Sequence, residues 1–216
     1  MTADGVEALY PFLYDGGSDI DAVLAHVAKS TAEKFSEIEA LRRQVLERDG
    51  ERLAACAAAM AAAFAAGGRL LAFGNGGSAT DAQAIVQLLL EPPWGRALPA
   101  LDLTADVAVL TALANDVGFD VVFARQVAAW GRPGDVAFAV STSGGSENVV
   151  RGLDEAKRHG MLTVGLAGYD GGRMAAAGTV DHLFVVPSPS VHRIQEAQTT
   201  VYHALWTLTQ DALATA

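Results

Sequence analysis

Val136-Ala137-Phe138-Ala139-Val140-Ser141-Thr142-Ser143-Gly144-Gly145-Ser146-Glu147 is the stretch that decides how this chain folds. An apolar run opening at Asp135 ends at Val140. Four hydroxyl residues and two glycines follow, and a helical pattern runs from Glu147 to His159. A helix N-terminus offers unpaired N–H groups and the positive end of its dipole, so it favours an anion. Small residues let a ligand approach the backbone, and hydroxyls add donors to phosphate oxygens. Two readings fit the loop taken alone. One is a phosphate cradle; the other is a strand–helix turn with Ser146 as N-cap.

Gly74-Asn75-Gly76-Gly77-Ser78 repeats the same logic. It ends the apolar run Arg69 to Phe73 and opens a helix from about Thr80 to Leu90, stopped by Pro92-Pro93. In an open parallel sheet, ligands bind at the carboxyl ends of strands near the switch point. Two such loops are therefore expected to face one small anionic ligand. No lysine follows the glycines, so neither loop is a P-loop. Ala79 and Thr80 stand where a dinucleotide fingerprint needs its third glycine.

Outward from these loops, Ala97 to Leu103, Leu162 to Ala167 and His182 to Val186 are strand candidates. Helical patterns cover Asp106 to Asn115, Phe119 to Trp130, a short stretch near Met174, and about Val191 to Ala212. Apolar strands separated by helices predict an α/β sandwich with a parallel sheet. Upstream, Ile20, Val23, Leu24, Val27, Phe35, Ile38, Leu41 and Val45 recur at helical spacing. They predict a helix from Ser18, its N-cap, to about Arg48. A second helix is expected from Glu51 to Ala66, stopped by Gly67-Gly68. Such helices suit bundling with a second subunit. Residues 1–17 read as an arm whose Leu9-Tyr10-Pro11-Phe12-Leu13-Tyr14 run packs on the domain or on another subunit, and 18–216 read as one domain.

The 216 residues carry a formal net charge of −10, which argues against nucleic acid as a direct partner. Cys56 is the single cysteine, so an intramolecular disulfide is excluded, and a core position in a reducing cytosol is expected. The N-terminus lacks a signal-peptide pattern, and the alanine-rich stretch Leu53 to Ala66 is too short to span a bilayer. A soluble cytoplasmic protein without membrane contact is the expectation.

Six motifs occur in order: the Gly74–Ser78 loop, Ala114-Asn115-Asp116-Val117-Gly118-Phe119, Gly131-Arg132-Pro133-Gly134-Asp135, the Ser141–Ser146 loop, Gly168-Tyr169-Asp170-Gly171-Gly172, and Arg193-Ile194-Gln195-Glu196. Together they resemble the sugar isomerase (SIS) domain family, within it the phosphoheptose isomerase branch. The resemblance covers roughly residues 30–212. It implies a three-layer, flavodoxin-like α/β/α sandwich with a five-stranded parallel sheet, preceded by N-terminal helices. It implies a homotetramer or homodimer with active sites shared between subunits. It also implies that Ser141, Thr142, Ser143 and Ser146 hold a sugar phosphate, that Asn75 and Ser78 contact the sugar, and that Asp106 lies near it.

The isomerase reaction moves a proton between C1 and C2 of an aldose–ketose pair, which needs a general base and a group on the carbonyl oxygen. The family's His and Glu, four residues apart on the helix after the glycine loop, share one helical face. A Gln and a His on the last helix complete the set, and several members bind zinc there. In this chain the first pair is replaced by Ala84 and Leu88, while Gln195 and His203 match the second. Two ligands are too few for a stable zinc site, so no cofactor is expected. His192 stands where the isomerases have an Asp. The expectation is a phosphosugar binder with weak, altered or absent isomerisation. The alternative is an active isomerase using His203 and a non-standard base, for which Glu91 is one candidate. One relative without the full pair binds the bacterial replication initiator, so a protein partner is a further expectation.

Overall fold

A computed structural model describes residues 20–215 of the chain; the arm at 1–17 and Ser18 lie outside the described residues. The chain divides into two compact units, one ending at Ala40 and one beginning at Leu41. The described part of the first unit is the opening stretch of helix α1 (Ile20–Ala65).

Helix α1 is continuous, where two helices separated at Asp49-Gly50 were expected. The reason is local. The Asp49 carboxylate is fully buried and accepts from Arg48 Nε at 2.9 Å and from Arg52 Nη1 at 2.5 Å. A lone glycine costs a helix only about 1 kcal/mol, which these charge-assisted bonds offset. The same two arginines reach the last strand, β5 (His182–Val186). Arg48 donates to the Val185 carbonyl, and Arg52 donates to the Leu183 carbonyl at 2.6 Å. The Arg52 guanidinium lies 5.4 Å over the Phe184 ring. Cys56, on the same helix, is fully buried, and burial pushes its thiol up to about 12.

The second unit continues with β1 (Leu70–Gly74), α2 (Gly77–Leu90), β2 (Ala100–Asp102) and α3 (Val107–Asp116). A 3-10 turn at Phe119–Val121 leads into α4 (Val122–Trp130). Then come β3 (Val136–Ser141), α5 (Glu147–Arg158), β4 (Leu162–Gly168), α6 (Gly172–Ala176), β5 and α7 (Val191–Thr215). The five strands form one sheet in the order β2-β1-β3-β4-β5, and every pairing is parallel. This is the three-layer α/β/α sandwich that the strand–helix alternation predicts.

Strands β1 and β3 are buried at every residue, as expected for a sheet covered on both faces. One cluster joins Leu71 and Phe73 of the sheet to Phe123 and Val127 of α4 and Val149 and Leu153 of α5. The Phe73 and Phe123 rings lie 5.2 Å apart. Each fully buried side chain of this size contributes about 1.5–3 kcal/mol. Among the described residues, no helix is long and apolar enough to cross a membrane.

Candidate functional site

The strand order reverses at β1, so the switch point lies between β1 and β3. Gly74 pairs with Val140 in the register, which sets the two predicted loops side by side at the carboxyl ends of neighbouring strands. A Cβ on Gly74 would lie 2.6 Å from the Ser78 carbonyl oxygen and 2.7 Å from that of Val140. Only glycine lets the chain turn into α2 that close to β3. The loops are then cross-braced. Asn75 Nδ2 donates to Asn148 Oδ1 at 2.8 Å, and Asn148 Nδ2 donates to Asn75 Oδ1 at 2.9 Å. Asn148 is buried in the first turn of α5. Sequence reasoning missed it, although an amide on the apolar stripe Val149, Gly152, Leu153, Ala156 was a visible anomaly.

In the serine loop, Ser141 is buried, Thr142 and Ser146 are half-buried and Ser143 is exposed. Ser141 Oγ accepts from Gly144 N at 3.1 Å, and Ser143 Oγ accepts from Gly145 N at 3.1 Å. Each hydroxyl uses an acceptor site here, and the Ser143 proton remains available for an anion. Ser141 and Ser146 hydroxyls stand 3.5 Å apart. Ser146 takes the N-cap position of α5 but makes no side-chain cap bond, so its hydroxyl is not spent on the helix. The loop is held from behind by the turn at Tyr169–Gly172. Met174 N donates to the Gly144 carbonyl at 2.9 Å, and a Cβ on Gly144, whose φ is 61°, would collide with the Gly171 carbonyl.

Ser78 is buried in the first turn of α2, where its N–H donates to the Asn75 carbonyl at 3.0 Å. Asp106 caps α3, accepting from Val109 N at 3.0 Å. Its carboxylate therefore has a structural partner of its own.

Helices α2 and α7 pack against each other and fix the remaining residues. A Cβ on Gly77 would collide with the Gln195 carboxamide, so Gln195 lies against the glycine loop. Four residues on, Thr199 donates its hydroxyl proton to the Gln195 carbonyl at 3.0 Å and lies beside Asp81 of the facing helix. One further turn along each helix come Ala84 and Ile85 on α2 and His203 on α7. His203 is exposed and stacks on Tyr202 at 5.1 Å.

This face has polar groups that sequence reasoning missed. Asp81 is buried, and its Oδ2 has no hydrogen-bond partner among the described residues. Burial pushes its carboxyl up to about 6, against the opposing Thr199 hydrogen bond. Burial also raises the Tyr202 phenol; the Thr199 hydrogen bond opposes this and Asp81 adds to it. Gln198 is fully buried, and its side-chain polar atoms have no hydrogen-bond partner among the described residues. The donors do not fit the zinc site of the resembled family. An alanine and a leucine, Ala84 and Leu88, hold the two positions on α2, and among the described residues no three His, Cys, Asp or Glu side chains form a metal-binding group.

The sheet order and the paired loops define a class, the doubly wound α/β proteins that take ligands at the switch point. Comparison with known proteins narrows that class. The sequence pattern of the SIS domain matches residues 35–168, and the chain belongs to the SIS domain family. It is 44% identical over 198 residues to a phosphoheptose isomerase of Desulfovibrio desulfuricans, covering 89% of this chain and 88% of that relative. It is 41% identical over 179 residues to a phosphoheptose isomerase of Aquifex aeolicus, covering 82% and 93%. The solved phosphoheptose isomerase of Neisseria gonorrhoeae superposes with a TM-score of 0.79 at 36% identity, covering 88% of this chain and all of that one.

Proposed function

We propose that this protein binds a phosphorylated sugar at the two switch-point loops and isomerises it feebly or not at all. The carrying observation is the contrast between the loops and the α2–α7 face. The loops are braced by Asn75 and Asn148, and the serine loop keeps a free hydroxyl proton at Ser143 and one more on the Ser141–Ser146 pair. On α2, at the positions where the resembled isomerases have a His and a Glu, stand Ala84 and Leu88. Neutral donors can hold a phosphate without basic residues, so the acidic net charge is no obstacle. A missing acid–base group lowers turnover by about 10²–10⁴-fold. Gln195 and His203 are the remaining candidates for contact with the sugar's carbonyl end.

A second reading, active isomerisation with a non-standard base, is favoured by two observations. Relatives at 44% and 41% identity are named phosphoheptose isomerases. Asp81 also places a carboxyl that titrates near neutrality one turn before Ala84. Purified protein incubated with sedoheptulose 7-phosphate and followed by NMR separates the two. Turnover above about 1 s⁻¹ establishes the second reading. Thermal stabilisation by phosphosugars, abolished in the Ser143→Ala/Ser146→Ala double variant, is expected under both. Unchanged stabilisation in that variant would move the phosphate to another pocket.

A further inference from the structure

Glu147 is the first residue of α5, directly after Ser146, so its carboxylate stands at the rim of the serine loop. A carboxylate suits a helix N-terminus, but an anionic ligand seeks the same place. Both of its oxygens are held by arginines. Arg151, one turn along α5, donates from Nε to Glu147 Oε1 at 2.6 Å, and Arg173 Nη1 donates to Oε2. The two arginines differ. Arg151 is anchored twice, since its Nη1 also pairs with Asp120 Oδ2 at 2.8 Å. The Arg173 guanidinium has Glu147 alone as its partner among the described residues, and its side chain is 55% exposed. Arg173 belongs to α6, which backs the serine loop. A Cβ on the preceding Gly172 would collide with the Ser143 carbonyl, and the following Met174 N–H is bonded to the Gly144 carbonyl. The Arg173 backbone is therefore fixed against one end of the loop, while its guanidinium reaches the residue that follows the other end. Glu147 thus acts as an internal anion that occupies a cation at the rim of an anion cradle. A phosphate monoester carries up to two charges against the carboxylate's one, and it offers three acceptor oxygens. The ion pair it would displace is exposed and therefore weak. Losing Arg173 does not strand Glu147, which keeps Arg151 and is itself 38% exposed.

We propose that Arg173 is a ligand of the bound phosphate, held in reserve by Glu147, and that the phosphate takes the guanidinium from the carboxylate on binding. The loop hydroxyls then fix where the phosphate sits, and Arg173 adds the charge that favours a dianion. The proposal rests on the reading that the serine loop holds the phosphate, and the test separates the two. Dissociation constants are measured by calorimetry for sedoheptulose 7-phosphate and for inorganic phosphate, with wild type, Glu147→Gln, Arg173→Gln and the double variant. Both side chains are more than a third exposed, so the four proteins should melt alike. Binding should be about tenfold tighter in Glu147→Gln, where the guanidinium is free beforehand, and about threefold weaker in Arg173→Gln. With Arg173 already replaced, the gain from Glu147→Gln should shrink to about twofold, the through-space effect of removing a carboxylate. The full tenfold gain without Arg173, or no gain with it, would overturn the proposal while leaving the phosphate assignment standing. Absence of binding of either ligand to all four proteins would overturn the phosphate reading, and the proposal with it.

Discussion

Asn75 and Asn148 satisfy each other, exchanging two side-chain hydrogen bonds of 2.8 and 2.9 Å across the gap between β1 and β3. Seventy-three residues apart in sequence, they turn two separate loops into one rigid mouth. Replacing Asn148 with Ala removes both bonds and leaves the Asn75 amide without its partner. A loss of about 1–3 kcal/mol in urea-unfolding free energy is expected. Weaker phosphosugar binding should accompany it. Unchanged stability together with unchanged affinity would make the brace irrelevant to the site.

Two glycines allow a controlled comparison. Gly76 and Gly144 both have positive φ, 56° and 61°, but only at Gly144 does a Cβ meet a neighbour, the Gly171 carbonyl. Gly76→Ala should cost only the strain of a backbone region, φ 56° and ψ −124°, that L side chains avoid, about 1–3 kcal/mol. Gly144→Ala should cost more, because backbone on both sides must move, and it should release the serine loop from the turn behind it. Equal melting points for the two variants would contradict this.

Asp81 gives stability a specific pH dependence. Its carboxyl titrates at about 6 in the folded protein, against about 4 in an unfolded chain. Below about pH 4 both states hold the proton and no penalty exists. As pH rises from about 4 to about 6 the unfolded chain releases the proton while the folded state keeps it, so stability is lost over that range and the loss is complete above it. Asp81→Asn removes the titration. It should be more stable than wild type at pH 7.5, by about 1–3 kcal/mol, and the gain should vanish by pH 4. Urea midpoints of both proteins across that range decide the matter; parallel curves would count against a raised carboxyl.

The Arg48–Asp49–Arg52 cluster should respond unequally to its two kinds of deletion. Asp49→Ala leaves two guanidiniums that are 42% and 53% exposed and can turn to water. The expected loss is about 1–2 kcal/mol. Removing both arginines strands a fully buried carboxylate, with an expected loss of about 3–5 kcal/mol. Adding Asp49→Ala to that double variant should then restore stability. A triple variant no better than the double would show that the charge is not what matters.

Sheet and loops were legible because their signals are local. Apolar runs ending in glycine and serine announce strand, loop and helix within a dozen residues, as at Val136–Glu147. The break expected at Asp49-Gly50 shows the limit of such signals: the bonds that hold the helix through it come from arginines that also grip β5, more than a hundred residues away. Asp106 read as lying near the sugar, and its carboxylate also caps α3. Asn148, Asp81 and Gln198 were missed for one reason. Each is a polar residue on a buried stripe, and what it faces depends on how helices meet, which spacing alone does not encode.

Among the described residues, strand β5 has a neighbouring strand on one side only. An open sheet edge is a template on which another chain can add its own strand, the first step of aggregation. In this protein Arg48 and Arg52 occupy the Val185 and Leu183 carbonyls, so an incoming strand would have to displace two charged guanidiniums to find acceptors. The contacts that keep α1 in one piece thus also act as a gatekeeper, blocking intermolecular growth of the sheet.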